Sequence, residues 1–103
     1  MKDERWADDC QISPDTLHRQ ASAAQAAGFT QLADNLRRAA ELTAVPKEEL
    51  LRIYEALRPG RATEAELLAI AEALERDYGA QQTAAFIREA AAEYARRRLF
   101  RPK

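Results

Sequence analysis

Cysteine is almost absent from this 103-residue chain. Cys10 stands alone, which excludes an internal disulfide and with it the stapled framework of a small secreted domain. Histidine is equally scarce: His18 has no second histidine, and Cys10 lies across an expected helix start from it, so the ligand spacing of a metal site is missing. Glycine occurs three times, each alone at an expected helix end, which leaves no glycine-rich loop to cradle a phosphate. No run approaches the roughly 18–20 apolar residues that a membrane span requires. The opening MKDERWADDC carries charge with no apolar stretch behind it, unlike a secretory signal. Sixteen basic residues against seventeen acidic ones leave a net charge of −1, without the basic excess of a nucleic-acid binder. These absences predict a cytoplasmic chain with neither membrane nor nucleic acid as a partner.

Large apolar side chains are also few. The hydrophobic fraction is 47%, but much of it is alanine, and Leu, Ile, Val and Phe together number 19, about 18%. That is low for a self-sufficient globular domain. Disordered chains with such a deficit usually carry strong net charge, which this one lacks. The composition therefore predicts ordered helices around a thin core, completed by a partner, in a chain whose length suits one domain.

What is present is helical periodicity. Residues 1–12 show none and read as an irregular N-terminal arm, and residues 13–103 read as a single helical domain. Ser13 and Pro14 suit a helix start, and Gly28 suits its end, with Leu17, Ala21 and Ala24 on one side. A second helix over about 30–44 places Phe29, Leu32, Leu36, Ala39/Ala40 and Thr43 in a stripe. A third, about 46–58, follows Pro46 with Leu50, Ile53/Tyr54 and Leu57. Pro59-Gly60 breaks the chain, and Thr63 with Glu66 forms a capping box ahead of Leu67, Ile70/Ala71, Leu74 and Tyr78. The last helix, about 81–98, carries Phe86/Ile87, Ala90 and Tyr94. With no plausible strand and short connections, the pattern is all-α, a small bundle of four to five short helices.

Side chains for catalysis do not assemble in this pattern. His18 reads as an exposed polar helix residue. Cys10 follows Asp8 and Asp9, a setting that disfavours the thiolate. Glu48, Glu49, Glu64, Glu66 and Glu72 fall in first turns or on polar faces, where they complement helix dipoles or pair with arginine. Spacing suggests surface pairs for Glu48–Arg52 and Glu93–Arg97. The basic run Arg96, Arg97, Arg98, Arg101 and Lys103 suits a helix C-terminus, with an acidic partner surface as the second reading. Tyr54, Arg58 and Arg61 flank the Pro59-Gly60 turn. Two readings stay open for them: a core tyrosine beside surface arginines, or a subunit interface anchored by residue types favoured at such places.

The run LADNLRRAAELTAVP from Leu32 to Pro46, LLRIYEALRPGRAT from Leu50 to Thr63, ELLAIAEAL from Glu66 and TAAFIREAAAEY from Thr83 resemble the small (gamma) subunit of adenosylcobalamin-dependent diol and glycerol dehydratases. ISPDTLHRQA from Ile12 to Ala21 fits as well, so the resemblance covers about residues 12–99. It implies a helical, non-catalytic subunit of a hydro-lyase that converts 1,2-diols or glycerol to aldehydes with loss of water. It further implies adenosylcobalamin bound by other subunits, with neither cofactor nor metal on this chain. The implied partners are large and medium subunits, assembled as a dimer of three-chain units. Two departures stand out. Gly60 replaces an aromatic residue found in some relatives, and the stretch before Ile12 is short, which tells against packaging in a bacterial microcompartment. The alternative reading, independent of the resemblance, is a free-standing helical protein-interaction module.

Overall fold

Helix boundaries in this chain follow from the residues that satisfy free backbone groups. The computed structural model describes residues 13–102. Five α-helices occupy them without a strand: α1 Pro14–Ala26, α2 Thr30–Leu42, α3 Lys47–Ala56, α4 Glu64–Tyr78 and α5 Gln81–Arg97. The all-helical class and the helix count agree with the sequence pattern. The arm expected over residues 1–12, Cys10 included, lies outside the described residues. The chain divides into two compact units, one running to Thr43 and the other from Ala44 onward.

In the first unit the Ser13 hydroxyl accepts the Thr16 backbone N–H at 3.2 Å and caps α1, while Pro14 sits where its missing N–H costs nothing. At the other end Gly28 adopts φ +87°. Its N–H donates to the Gln25 carbonyl at 3.0 Å and that of Phe29 to Ala24 at 2.8 Å, the paired bonds of a Schellman ending. Packing between α1 and α2 uses small side chains: Leu17, Ala21 and Ala24 are buried on one, Ala33 and Ala40 on the other. Here the structure departs from the expected stripe of α2, because Phe29 and Leu32 are 62% and 50% exposed. Alanine lets helix axes approach toward the short end of the usual 8–10 Å, and the chain takes that close seam while the bulky residues face outward.

The second unit contains α3, α4 and α5. The capping box at the start of α4 forms as its sequence predicts: the Glu66 N–H reaches Thr63 Oγ1 at 3.2 Å, and the Thr63 N–H reaches Glu66 Oε1 at 2.8 Å. Across the short Gly79–Ala80 link, α4 and α5 pack as a helical hairpin. Leu67, Ala71 and Leu74 are buried on one helix and Ala84, Ile87 and Ala91 on the other. Beside α4, α3 adds the buried Ile53, and the Tyr78 hydroxyl donates to Glu49 at 2.7 Å. Of the two surface pairs that spacing suggests, Glu93–Arg97 forms, whereas Glu48–Arg52 is not among the ion pairs of the described residues. Among the described residues nine of the fifteen buried hydrophobic residues are alanine, and only Leu67, Leu74 and Ile87 are large and fully buried. The core is thin among the described residues, as composition predicts.

The capping box has a measurable consequence. The Thr63 backbone N–H, followed by the Arg101 charge, holds the Glu66 carboxyl below its usual range. A carboxylate depressed on folding contributes stability that is fully present above its unfolded value, about 4.3, and is lost as pH falls through the lower folded value. Thermal melts of Glu66→Gln should therefore fall below wild type at neutral pH, with the gap closing below about pH 4. Thr63→Ala, which removes the other half of the box, should cost about 1 kcal/mol across the whole range. A gap between wild type and Glu66→Gln that is constant with pH would contradict this account.

Candidate partner-binding surface

The end of α3 and the turn after it form the most distinctive surface of the second unit. Proline cannot continue a helix, so α3 stops ahead of Pro59. Gly60 then turns the chain at φ +80°, a region costly for side-chain-bearing residues. The exposed side of α3 leading into this turn carries Leu51 and, one turn later, Tyr54, which are 58% and 54% exposed. Arg58 follows just beyond the end of the helix. Its guanidinium meets Glu55 at 3.2 Å, and Arg61, from the far side of the turn, meets the other oxygen of Glu55 at 3.4 Å. One carboxylate thus orients two arginines beside an apolar ridge.

The turn itself is held by the C-terminal tail. Arg98 closes α5 in the left-handed region at φ +58°, with the Leu99 N–H donating back to Tyr94 at 2.9 Å. This reversal sends the tail across the turn. The Gly60 N–H donates to the Leu99 carbonyl at 2.7 Å, and the Arg101 N–H to the Ala62 carbonyl at 2.8 Å. The Tyr94 hydroxyl donates to the Leu57 carbonyl, its ring lies 5.8 Å from that of Phe100, and Arg101 reaches Glu66 at 3.2 Å. Backbone groups of the turn thereby find partners from a strap about forty residues further along the chain.

Of the three residues singled out from sequence, Tyr54 lies outside the core near the end of α3, and Arg58 and Arg61, beyond that end, are joined through Glu55. The core reading of Tyr54 is overturned, since Ile53 takes the buried position. Leu51 was missed. Its signal was available three residues before Tyr54, on the side of α3 away from Ile53. The strap had no local signal at all. The basic run at the end of α5 is largely engaged within the chain: Arg96 and Arg97 both pair with Glu93, Arg101 with Glu66. The bond from Arg96, then that from Arg97, holds the Glu93 carboxyl below its usual range. Lys103 lies outside the described residues.

This surface can bind and orient, and it offers little else. A shallow, open groove runs between α3 and α4 beside Arg52, Glu55, Ala69 and Ile70. His18 stands exposed on α1. Among the described residues no group of three His, Cys, Asp or Glu side chains is placed to hold a metal ion, and no helix is long and apolar enough to cross a membrane.

Comparison with known proteins places the chain. A family model described as dehydratase small subunit matches residues 1–101, and the chain belongs to that family. It is 56% identical over 92 residues to the propanediol dehydratase small subunit of Salmonella typhimurium, covering 89% of this chain and 53% of that protein. To the propanediol dehydratase small subunit of Citrobacter freundii it is 55% identical over 92 residues, covering 54% of that protein. The chain spans about half the length of the curated relatives it matches. The family resemblance read from the sequence is therefore correct.

Proposed function

We propose that the chain serves as the small, non-catalytic subunit of an adenosylcobalamin-dependent diol or glycerol dehydratase, a hydro-lyase that converts 1,2-diols or glycerol to aldehydes with loss of water. The observation that carries this reading is 56% identity, sustained over 92 residues, to a propanediol dehydratase small subunit. The thin alanine-rich core and the exposed Leu51, Tyr54, Phe29 and Leu32 support it, because they suit a chain whose apolar contacts continue on a neighbour. In this reading the chain packs against a large subunit, joined by a medium one, in a cytoplasmic dimer of three-chain units.

Adenosylcobalamin does not fit the surfaces described. A group of that size needs a broad, mostly apolar cleft that encloses most of it, and the groove along α3 is shallow and edged by Arg52, Glu55 and Arg61. The cofactor belongs to other chains of the proposed complex, which supply the difficult chemistry and its positioning. The alternative of a free-standing module binding an acidic partner through the C-terminal arginines is weakened by the engagement of Arg96, Arg97 and Arg101 with Glu93 and Glu66.

The test is reconstitution. Large and medium subunits from the same source, assayed for coenzyme-dependent aldehyde formation from 1,2-propanediol, should lose most activity when this chain is omitted and regain it on addition. Full activity from the other two subunits alone would refute the proposal.

A further inference from the structure

The ridge on α3 combines features that a docking site needs and that a solvated helix does not. Leu51 and Tyr54 together expose apolar area on consecutive turns. Aromatic and arginine side chains are the types that dominate binding energy when they become buried. Arg52 and Arg61 line a groove with Leu51, and Arg58 follows the end of the helix; with Lys47 and Arg101, five basic residues stand against Glu48, Glu55 and Glu66. The ridge is therefore locally positive by two charges, on a chain whose overall charge is −1. A positive rim around an apolar centre is complementary to an apolar patch ringed by carboxylates, and it repels a second copy of itself.

The turn that carries the arginines is also held in place before any partner arrives. Glu55 lies within ion-pair distance of both Arg58 and Arg61, and two backbone bonds, from the Gly60 N–H to Leu99 and from the Arg101 N–H to Ala62, hold the turn that separates them. A backbone already ordered loses less freedom on association, so more of the contact energy appears as affinity.

Resting on the dehydratase reading above, we infer that the Leu51–Tyr54 ridge, with its Arg52, Arg58 and Arg61 rim, docks on an apolar patch bordered by Asp and Glu side chains on the large dehydratase subunit. The apolar pair supplies the buried centre, and the arginines form charge-assisted bonds to carboxylates at its border. Binding should weaken with rising salt as these rim pairs are screened.

The experiment co-expresses the full chain with the large and medium subunits and measures affinity of the purified small subunit for the remaining complex. Tyr54→Ala and Arg58→Glu should each weaken association at least tenfold, with helicity by circular dichroism unchanged. Leu68→Ala, which alters a 41% exposed leucine on α4, should change it less than twofold. Arg58→Glu should also flatten the salt dependence. Wild-type affinity in both ridge variants, alongside intact assembly, would overturn this inference and leave the dehydratase reading standing. Failure of the wild-type chain to join the larger subunits would overturn both. A concentration-dependent homodimer of the isolated chain that Tyr54→Ala abolishes, with unchanged binding to the large subunit, would assign the ridge to a second copy and overturn the inference.

Discussion

Leu74→Ala should destabilise the second unit by about 3 kcal/mol, within the range for leucine-to-alanine changes in a core. Leu67, Leu74 and Ile87 are the only large side chains fully buried among the described residues, and the other buried hydrophobic residues of α4 and α5 are Ala71, Ala84 and Ala91. Alanine has no rotatable bond with which to move into a vacated space, so a cavity at Leu74 would stay largely open. Each kcal/mol lowers the melting temperature of a domain this size by about 4–8 °C, so the expected drop exceeds about 12 °C. Leu68→Ala provides the control: the same chemical change on the same helix, at a position 41% exposed, should stay within about 0.5 kcal/mol. A Leu74→Ala melt within about 3 °C of wild type would mean that the α4–α5 seam is not where stability resides.

Deleting residues 99–103 should cost about 2 kcal/mol. The deletion removes the two backbone hydrogen bonds across the turn, from Gly60 to Leu99 and from Arg101 to Ala62, and the bond from the Leu99 N–H to Tyr94 that closes α5, each contributing roughly 0.5–1.5 kcal/mol net. It also removes the Tyr94–Phe100 ring pair, of similar size, and the exposed Arg101–Glu66 pair, which adds little. The more telling readout is local. The Gly60 amide loses its acceptor, so its hydrogen exchange should accelerate toward that of an open loop, while amides in the middle of α4 stay protected. Phe100→Ala, which keeps the backbone bonds, should leave Gly60 protected and lower the melt by about half as much. Equal protection of Gly60 with and without the tail would show that the turn holds its shape unaided.

Helix placement was legible because its determinants are local. Ser13, Thr63, Glu66, Gly28 and Gly79 act on backbone groups within a few residues, and each does what its position predicts. Burial was less legible where two apolar residues adjoin. In Ile53-Tyr54 and Phe86-Ile87 only the isoleucine is buried, because a helix in contact with a close neighbour buries a narrow strip, and which strip depends on the neighbour. The α2 stripe failed for a related reason: the periodicity of Phe29 and Leu32 describes an apolar face but does not say what meets it, and α1 meets the alanine side instead. Tyr54 and Arg58 were visible from sequence as candidates, since their residue types and the adjoining turn mark them. Leu51 was marked only by its spacing from Tyr54, and the strap was not marked at all, for it depends on partners about forty residues apart. The family itself was legible from long runs of residues, which carry more information than any single motif.

The strap also bears on how the protein should be handled. The chain beyond Arg101 leaves from a residue whose N–H is bonded to Ala62 and whose guanidinium rests on Glu66, next to Arg61 on the turn. A purification handle fused there begins its path beside the arginine rim, and a charged or bulky one would crowd the surface whose binding it is meant to report. An affinity experiment with such a fusion would measure the handle's competition along with the protein's own association, and a tag cleaved before measurement removes that confusion.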